Sequence, residues 1–506
     1  MAKFNQTNTI KTTNRSGHVA YRMEDKAHLV TSVLTTMFNE QKFYGSTDGD
    51  IVRLATECAR SDPEFLVNLT YYARNIANLR SVSHVLACII AREAHEYTRK
   101  VIRNIVIRPD DLTEIFACYK KMYGKPFPNA LKREAACQMK KFSEYQLAKY
   151  NGGNKEIKLR DILRITHPHP DNREQAELFD RLIANELKTP YTWETELSTK
   201  GNTREVWDAL IESGMVGYMA QLRNLRNIVK VASPSTIDKV LNRLGDTNEV
   251  ERSRQLPYRF YNAYKMLKQE SEKDYAVHRQ FSHIHQTLDK AITVSTSNMD
   301  KIPGRTLIAI DGSGSMQWSM NQRTATTYYD IAYLFGMMAT KLCEDCTVLV
   351  FTSSGGVYSG NKGYKIIPVG KYDSILDFTE SKDRSSGGTD MSIPIRWMLQ
   401  EDGARDLHPF DRVIYLSDNE CNNAFSTDTY YRYGVAIQEY INTYRKQYNE
   451  NLWVHAIDLQ GYGTQQFNGA RTNIIAGWHD DVLKFISLAE NGMDTLVEYI
   501  AQLEVA

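Results

Sequence analysis

The segment Asp311-Gly312-Ser313-Gly314-Ser315 places a carboxylate and two hydroxyls at alternate positions of a turn whose glycines bend without steric cost. All three side chains can point into one pocket. The set is oxygen only, which suits a hard cation such as Mg²⁺ that keeps several waters, whereas a soft metal would want Cys or His. Two further segments offer matching groups: Gly387-Gly388-Thr389-Asp390, a hydroxyl after a glycine turn, and Leu416-Ser417-Asp418-Asn419-Glu420, a carboxylate at a strand end. A lone Asp-x-Ser-x-Ser carries little weight, because Asp and Ser also cap turns. No His or Lys is spaced as a base beside these groups, so the expectation is binding rather than hydrolysis. Two-metal nuclease chemistry would need more carboxylates than one such segment supplies.

Other chemistry-bearing residues read as structural. Cys343 and Cys346 form a single CxxC, whereas a zinc site needs four ligands. Cys58, Cys88, Cys118 and Cys137 lie in helical patterns, where buried reduced thiols are common. His278, His283 and His285 read as surface residues of a polar helix.

The elements that must position these groups change period along the chain. From about Met23 to Thr296 apolar residues recur at helical spacing, as in Leu29, Val33, Leu34 and Met37, or Leu66, Leu69, Tyr72 and Ile76. Breaks at Ser61-Asp62-Pro63, Arg108-Pro109-Asp110 and Ser233-Pro234 place a cap and a first-turn proline at new helix starts. Helix pairs over this length fit an α-solenoid of HEAT type or a compact helical bundle. After Lys301-Ile302-Pro303-Gly304 the pattern becomes short Val- and Ile-rich runs, at 307–310, 347–351, 413–416 and 452–457. They alternate with helices at 325–342, 392–399 and 436–448, which indicates a doubly wound, Rossmann-like α/β sheet whose ligands bind at the carboxyl ends of its strands. The division is thus a polar tail over 1–20, a helical-repeat domain over 21–300 and an α/β domain over 301–506.

Apolar residues at 42% and charged residues at 24% sit near globular averages, which excludes disordered and fibrous classes. The net charge of +1 is divided: residues 301–506 hold 17 Lys+Arg against 25 Asp+Glu, a net of −8, which leaves +9 on residues 1–300. A basic half points to a polyanion such as nucleic acid, or to a solvated helical surface. Met1 to Tyr21 holds no apolar h-region, and no long apolar run follows, so a cytosolic protein without a membrane span is expected.

Asp-x-Ser-x-Ser, a loop threonine and a distal aspartate in this order resemble the metal-ion-dependent adhesion site of von Willebrand factor A domains. The resemblance implies that Asp311, Ser313, Ser315, Thr389 and Asp418 hold the metal directly or through water, with one position open to a partner's carboxylate. A helical-repeat domain before such a domain resembles the Ro autoantigen family and its TROVE module. The likeness is carried also by Leu159-Arg160-Asp161-Ile162-Leu163-Arg164-Ile165-Thr166-His167 and Gln221-Leu222-Arg223-Asn224-Leu225. It implies helical repeats closed into a ring, binding of small Y-like noncoding RNA on the outer basic surface, and passage of single-stranded 3′ ends of misfolded RNA through the central hole. A 3′-to-5′ exoribonuclease partner, a monomeric protein and no catalysis of its own follow from the same likeness. The polar opening from Phe4 to His18 suggests a bacterial or phage branch.

On this reading His167, with Lys149, Lys155, Lys158, Arg160 and Arg164, lies on the RNA surface, where cations neutralise phosphates and an imidazole meets an exposed base. The alternative for His167 is a helix cap. Lys132, Arg133, Arg223, Arg226 and Arg259 line the ring or its rim, and Tyr258, Phe260 and Tyr261 interleave aromatics on which bases could stack, or belong to the core. The competing function is a metal-dependent protein-interaction module for which RNA is incidental.

Overall fold

The computed structural model describes residues 5–6, 11–13, 19–35, 49–152, 155–255, 257–297, 301–321, 324–353, 363–370, 373–380, 387–402, 408–421, 433–460, 464–476, 486–487, 489–490 and 496–505. Two compact units result: Asp25–Tyr191 with Leu496–Ala506, and Thr192–Thr495 with Met1–Glu24. These compact units part inside the helical half of the chain. Among the described residues no helix is long and apolar enough to cross a membrane.

In the unit built on Asp25–Tyr191 the helices are α1 (Asp25–Thr35), α2 (Gly49–Ser61), α3 (Pro63–Tyr71), α4 (Arg80–Glu93), α5 (Thr98–Ile105), α6 (Pro109–Tyr123), α7 (Asn129–Met139), α8 (Glu144–Tyr150), α9 (Leu159–Thr166) and α10 (Arg173–Ala184). The proline breaks act as expected. Asp62 caps α3 by accepting from the Phe65 N–H, and Pro63 and Pro109 occupy first-turn positions where no amide partner is lost. Helices pack two places along the chain, α2 on α4, α4 on α6, α5 on α7 and α7 on α9, which is the repeat arrangement. The helix Leu496–Ala501 joins this unit: its Ala501 carbonyl accepts from Asn68 at 3.1 Å, and Tyr499 meets Tyr72 edge-on.

Asp111 anchors the start of α6. Its buried carboxylate accepts from Arg80 Nε at 2.6 Å, Arg74 Nη2 at 3.1 Å and the N–H groups of Ile107 and Arg108 at 3.0 and 2.9 Å, with His84 Nε2 at 3.2 Å. Those partners hold its carboxyl well below the usual range despite burial, while burial pushes the His84 imidazole down. Cys137 is exposed, unlike the three other helical cysteines of this unit.

The second unit carries helices α11 (Trp193–Lys200), α12 (Arg204–Glu212), α13 (Tyr218–Val231), α14 (Pro234–Leu244), α15 (Thr247–Ser253), α16 (Pro257–Ser271) and α17 (Tyr275–Ser297) before its sheets. The main sheet runs β13 (Thr472–Ala476), β10 (Trp453–Asp458), β9 (Arg412–Ser417), β4 (Ile302–Asp311), β7 (Cys343–Phe351) and β8 (Tyr364–Ile367). All neighbours are parallel except β8, which pairs antiparallel with β7. The order reverses between β4 and β9, the switch point of a doubly wound sheet. Helices α18 (Tyr328–Leu342), α19 (Ile375–Glu380), α20 (Ile393–Trp397) and α21 (Tyr433–Gln447) accompany it. A Cβ on Gly336 would stand 2.8 Å from Ile310 Cδ1, so glycine lets α18 lie close on β4.

Three expectations change. The helix expected from Ala325 begins at Tyr328, because Thr324–Thr327 forms β6, paired with β5 (Ser319–Asn321), and Thr327 caps the helix. The segment read as a polar tail supplies β1 (Asn5–Gln6), β2 (Lys11–Thr13) and β3 (Val19–Arg22). Of these, β1 pairs with β12 (Gly469–Ala470) and β3 with β11 (Thr464–Gln465). Finally, α16 and α17 dock on the sheet's helices: Tyr261 Oη donates to Asp330 at 3.1 Å, Lys265 also reaches Asp330, and His285 Nε2 lies 2.9 Å from Asp377. His285 is thus half-buried rather than a surface residue. Cys343 and Cys346 lie in one extended strand, three residues apart and hence on opposite faces, a poor chelating pair.

Candidate metal centre and nucleic-acid interface

Asp311 is the last residue of β4, at the switch point, and its carboxylate is fully buried. One oxygen accepts from the Ser313 N–H at 2.8 Å, the other from Ser417 Oγ at 2.6 Å. The Ser313 and Ser315 hydroxyls stand 3.1 Å apart. The Gly314 N–H donates to the Gly387 carbonyl at 3.0 Å, which clips this loop to the one carrying Thr389. Gly387 takes φ +85°, a left-handed conformation that favours glycine.

Asp390 turns from the site. Its carboxylate accepts from the Ser392 N–H and hydroxyl at 3.0 and 2.6 Å and from Arg396 at 2.9 Å, which fixes the turn behind Thr389. The Cys421 thiol donates to the Thr389 carbonyl at 3.4 Å, tying the Thr389 and Asp418 loops together. Asp418, just past β9, accepts from the Glu420 N–H at 3.2 Å and Gln460 Nε2 at 3.5 Å.

Asp311, Ser313, Thr389 and Asp418 are thus all buried at the carboxyl ends of strands or the loops beside them, with Ser315 half-buried. Burial, and then the negative charge of Asp418, push the Asp311 carboxyl up to about 7, against hydrogen bonds from Ser417 and Ser313. A buried carboxylate whose proton affinity is raised by burial and by a second carboxylate, among hydroxyls, belongs to a donor set that a divalent cation neutralises, and the residues fit such an ion. Sequence reasoning passed over Ser417, although it stands in the same Leu416–Glu420 segment; it orients Asp311 and accepts from the Asn419 N–H at 3.1 Å. Trp318, three residues past Ser315, is 71% exposed.

Eight of the eleven residues expected at the RNA surface fall in the unit built on Asp25–Tyr191. Lys132 and Arg133 lie on α7, Lys149 on α8, Lys155 and Lys158 before α9, Arg160 and Arg164 on α9, and His167 after it. Since α8 and α9 each pack on α6, and α7 packs on α9, the structure groups these residues. From Lys120 to His167 the chain carries 12 Lys+Arg against 4 Asp+Glu. All four carboxylates are engaged: Glu134 with Arg99 and Arg103, Glu144 with Arg181, Glu156 with Lys120, and Asp161 with the Lys158 N–H. Among the described residues no carboxylate pairs with Lys132, Arg133, Lys149 or Arg164, and the last three are exposed.

His167 does both things considered for it. It ends α9 in the left-handed region at φ 46°, its N–H bonded to the Leu163 carbonyl at 2.9 Å, and its side chain remains exposed. Arg160 is only half exposed, with Nε buried.

Arg223 and Arg226 on α13 and Arg259 on α16 belong to the other unit. Arg223 and Arg226 are exposed, Arg226 lying 3.9 Å from Glu270. Arg259 is half-buried against Met219 and Tyr258. The base-stacking reading of the neighbouring aromatics fails for two of three, because Phe260 and Tyr261 are wholly buried, on the inner face of α16.

Residues 23–186 and 184–329 match the TROVE domain, and residues 305–457 match the Ro60 vWA domain. Telomerase protein component 1 of Rattus norvegicus is 26% identical over 325 residues, covering 47% of this chain and 12% of that protein. RNA-binding protein RO60 of Caenorhabditis elegans is 26% identical over 234 residues, covering 44% of this chain and 33% of that protein. The chain therefore spans a minor part of the length of the curated relatives it matches. The crystal structure of the RO (RSR) protein of Deinococcus radiodurans superposes with a TM-score of 0.63 at 17% identity, over 93% of this chain and 100% of that one, a likeness of fold. Since the TROVE matches cover more than half of the sequence and the Ro60 von Willebrand factor A match covers most of the sheet that follows, the chain belongs to the Ro family.

Proposed function

We propose that this protein is an RNA-binding member of its family. It takes a small structured, Y-like noncoding RNA on the basic surface of α7 to α9 and the single-stranded 3′ ends of misfolded RNA in a ring of helical repeats. The observation that carries the reading is that Arg133, Lys149 and Arg164 are exposed with no carboxylate partner among the described residues, while the four carboxylates between Lys120 and His167 are engaged by other groups. Uncompensated Lys and Arg on one face are the electrostatic footprint of a polyanion site. The RO60 relative is named as RNA-binding, which supports the same reading.

The second element is a Mg²⁺ ion held by Asp311, Ser313, Ser315, Thr389 and Asp418, which when bound supplies an open coordination position for an acidic side chain. Exposed Trp318 beside that loop favours protein docking there, with a 3′-to-5′ exoribonuclease as the partner class. The role is one of scaffolding in the cytoplasm by a monomer, without catalysis. Ultraviolet crosslinking of the protein in its native host, followed by sequencing of the attached RNA and mapping of the crosslinked peptides, tests the proposal. Crosslinks within residues 129–167 to a small structured RNA are expected; a protein that carries no RNA would overturn it.

A further inference from the structure

Helix α8 carries a surface that the charge argument leaves unused. Tyr145 is 50% exposed, so its ring is open to a ligand. The Lys149 amine, one turn further along, lies 5.9 Å from the ring centres of both Tyr145 and Tyr150. The Arg108 guanidinium stands 5.0 Å from the Tyr150 ring centre. Ring, cation, ring and cation therefore alternate along one strip: Tyr145, Lys149, Tyr150, Arg108.

The two cations differ in freedom. Arg108 is fixed by two hydrogen bonds to Asp110, at 3.1 and 2.9 Å, so it frames Tyr150. Lys149 has no carboxylate partner among the described residues and stays free to meet a phosphate. The one carboxylate of α8, Glu144, is turned to Arg181 at 2.9 Å, so it does not repel an anion over the rings. The reciprocal cap of Ser143 and Gln146 also fixes the helix start, next to Tyr145.

We infer that Tyr145 and Lys149 form a stacking platform for an unpaired base of the bound RNA, with Tyr150 and Arg108 as its supporting edge. Duplex RNA hides its base faces, whereas a single-stranded loop or end can lay one on an exposed ring and set the adjoining phosphate on the lysine. The inference rests on the RNA-binding reading above and narrows it to RNA with unpaired bases at α8.

The test uses the full chain, a fluorescein-labelled twelve-residue oligouridine and a blunt RNA duplex of equal length, with affinities read by anisotropy. Loss of one base stack predicts that Tyr145→Ala weakens oligouridine binding roughly tenfold or more, leaves duplex binding unchanged and leaves the salt slope unchanged. Tyr145→Phe should retain binding, because the ring and not the hydroxyl carries the contact. Tyr145→Trp places an indole on the platform, and its fluorescence should fall as oligouridine is added. Lys149→Ala should instead flatten the salt dependence of oligouridine binding. Oligouridine affinity within twofold of wild type in Tyr145→Ala, or no quenching in Tyr145→Trp, overturns the platform. Wild type that binds the duplex but not oligouridine overturns it while leaving RNA binding intact. Wild type that binds neither overturns the RNA reading itself and the platform with it.

Discussion

Removal of two guanidinium groups from the basic surface should change how binding responds to salt, by an amount that follows from the exposed charges. Leaving aside Arg160, whose Nε is buried, Lys132, Arg133, Lys149 and Arg164 are the cations of α7 to α9 without a carboxylate partner among the described residues. If each neutralises one phosphate, the slope of log affinity against log salt for a hairpin RNA is about −3.6, since each duplex phosphate contributes about −0.9. Raising salt from about 50 to about 200 mM then weakens binding roughly 150-fold. In Arg133→Ala/Arg164→Ala the slope falls to about −1.8 and the same change in salt weakens binding only about 12-fold. Anisotropy titrations at four or five salt concentrations measure both slopes. A wild-type slope near zero, or an unchanged slope in the double variant, refutes the assignment of these residues to phosphate contact. Unpaired exposed cations are the premise, so Lys120→Ala serves as the control: Glu156 already neutralises that lysine, and its loss should leave the slope nearly unchanged.

Further expectations concern the metal loops and the two buried ionic clusters. Asp311→Asn should abolish the rise in melting temperature that Mg²⁺ gives the wild type without altering hairpin affinity. Ser417→Ala, which removes the donor to Asp311, should weaken Mg²⁺ binding by about 10- to 100-fold in calorimetric titration. Asp111→Ala leaves Arg74 and Arg80 without their shared buried anion and should cost about 3–5 kcal/mol in urea unfolding, whereas Glu57→Ala on an exposed pair should cost under about 1 kcal/mol. Glu490 accepts two hydrogen bonds from Arg412, at 2.6 and 2.7 Å, and one of its oxygens lies 2.9 Å from His455 Nε2, which together pull its carboxyl down to about 2. A depressed carboxyl stabilises the fold above its unfolded value, so about 3 kcal/mol should be present above roughly pH 4.3 and drain away as pH falls towards 2. Glu490→Gln should remove that acid-sensitive component; an unchanged pH profile of thermal unfolding would contradict the ionic assignment.

Local chemistry was the legible part of the sequence. Prolines 63, 109 and 234 open helices because a first-turn residue has no amide to lose. The Val- and Ile-rich runs mark the centres of β4, β7, β9 and β10, and the glycine turns mark the ligand loops. Edge strands β8 and β13 escaped notice because an edge strand is short and need not alternate: Tyr364–Ile367 carries a lysine and Thr472–Ala476 an asparagine. What periodicity cannot supply is partnership across long separations. Phe260 and Tyr261 read equally as base-stacking or core residues until α16 meets α18, where Tyr261 finds Asp330, 69 residues away. Likewise Ser417 resembles any turn serine until the parallel register of β4 and β9 brings it to Asp311.

The crossed ends of the chain have a consequence for synthesis on the ribosome. Strand β3, within the first 24 residues, waits for β11 at Thr464–Gln465, while the helix that packs on Asn68 and Tyr72 comes last, at Leu496–Ala501. At about 5–20 residues per second the first strand emerges tens of seconds before its partner. A segment cut at residue 301 would inherit the helix that belongs with α3 and lack the strands that pair with its own loop. Each unit is thus assembled from stretches of chain that leave the ribosome far apart in time.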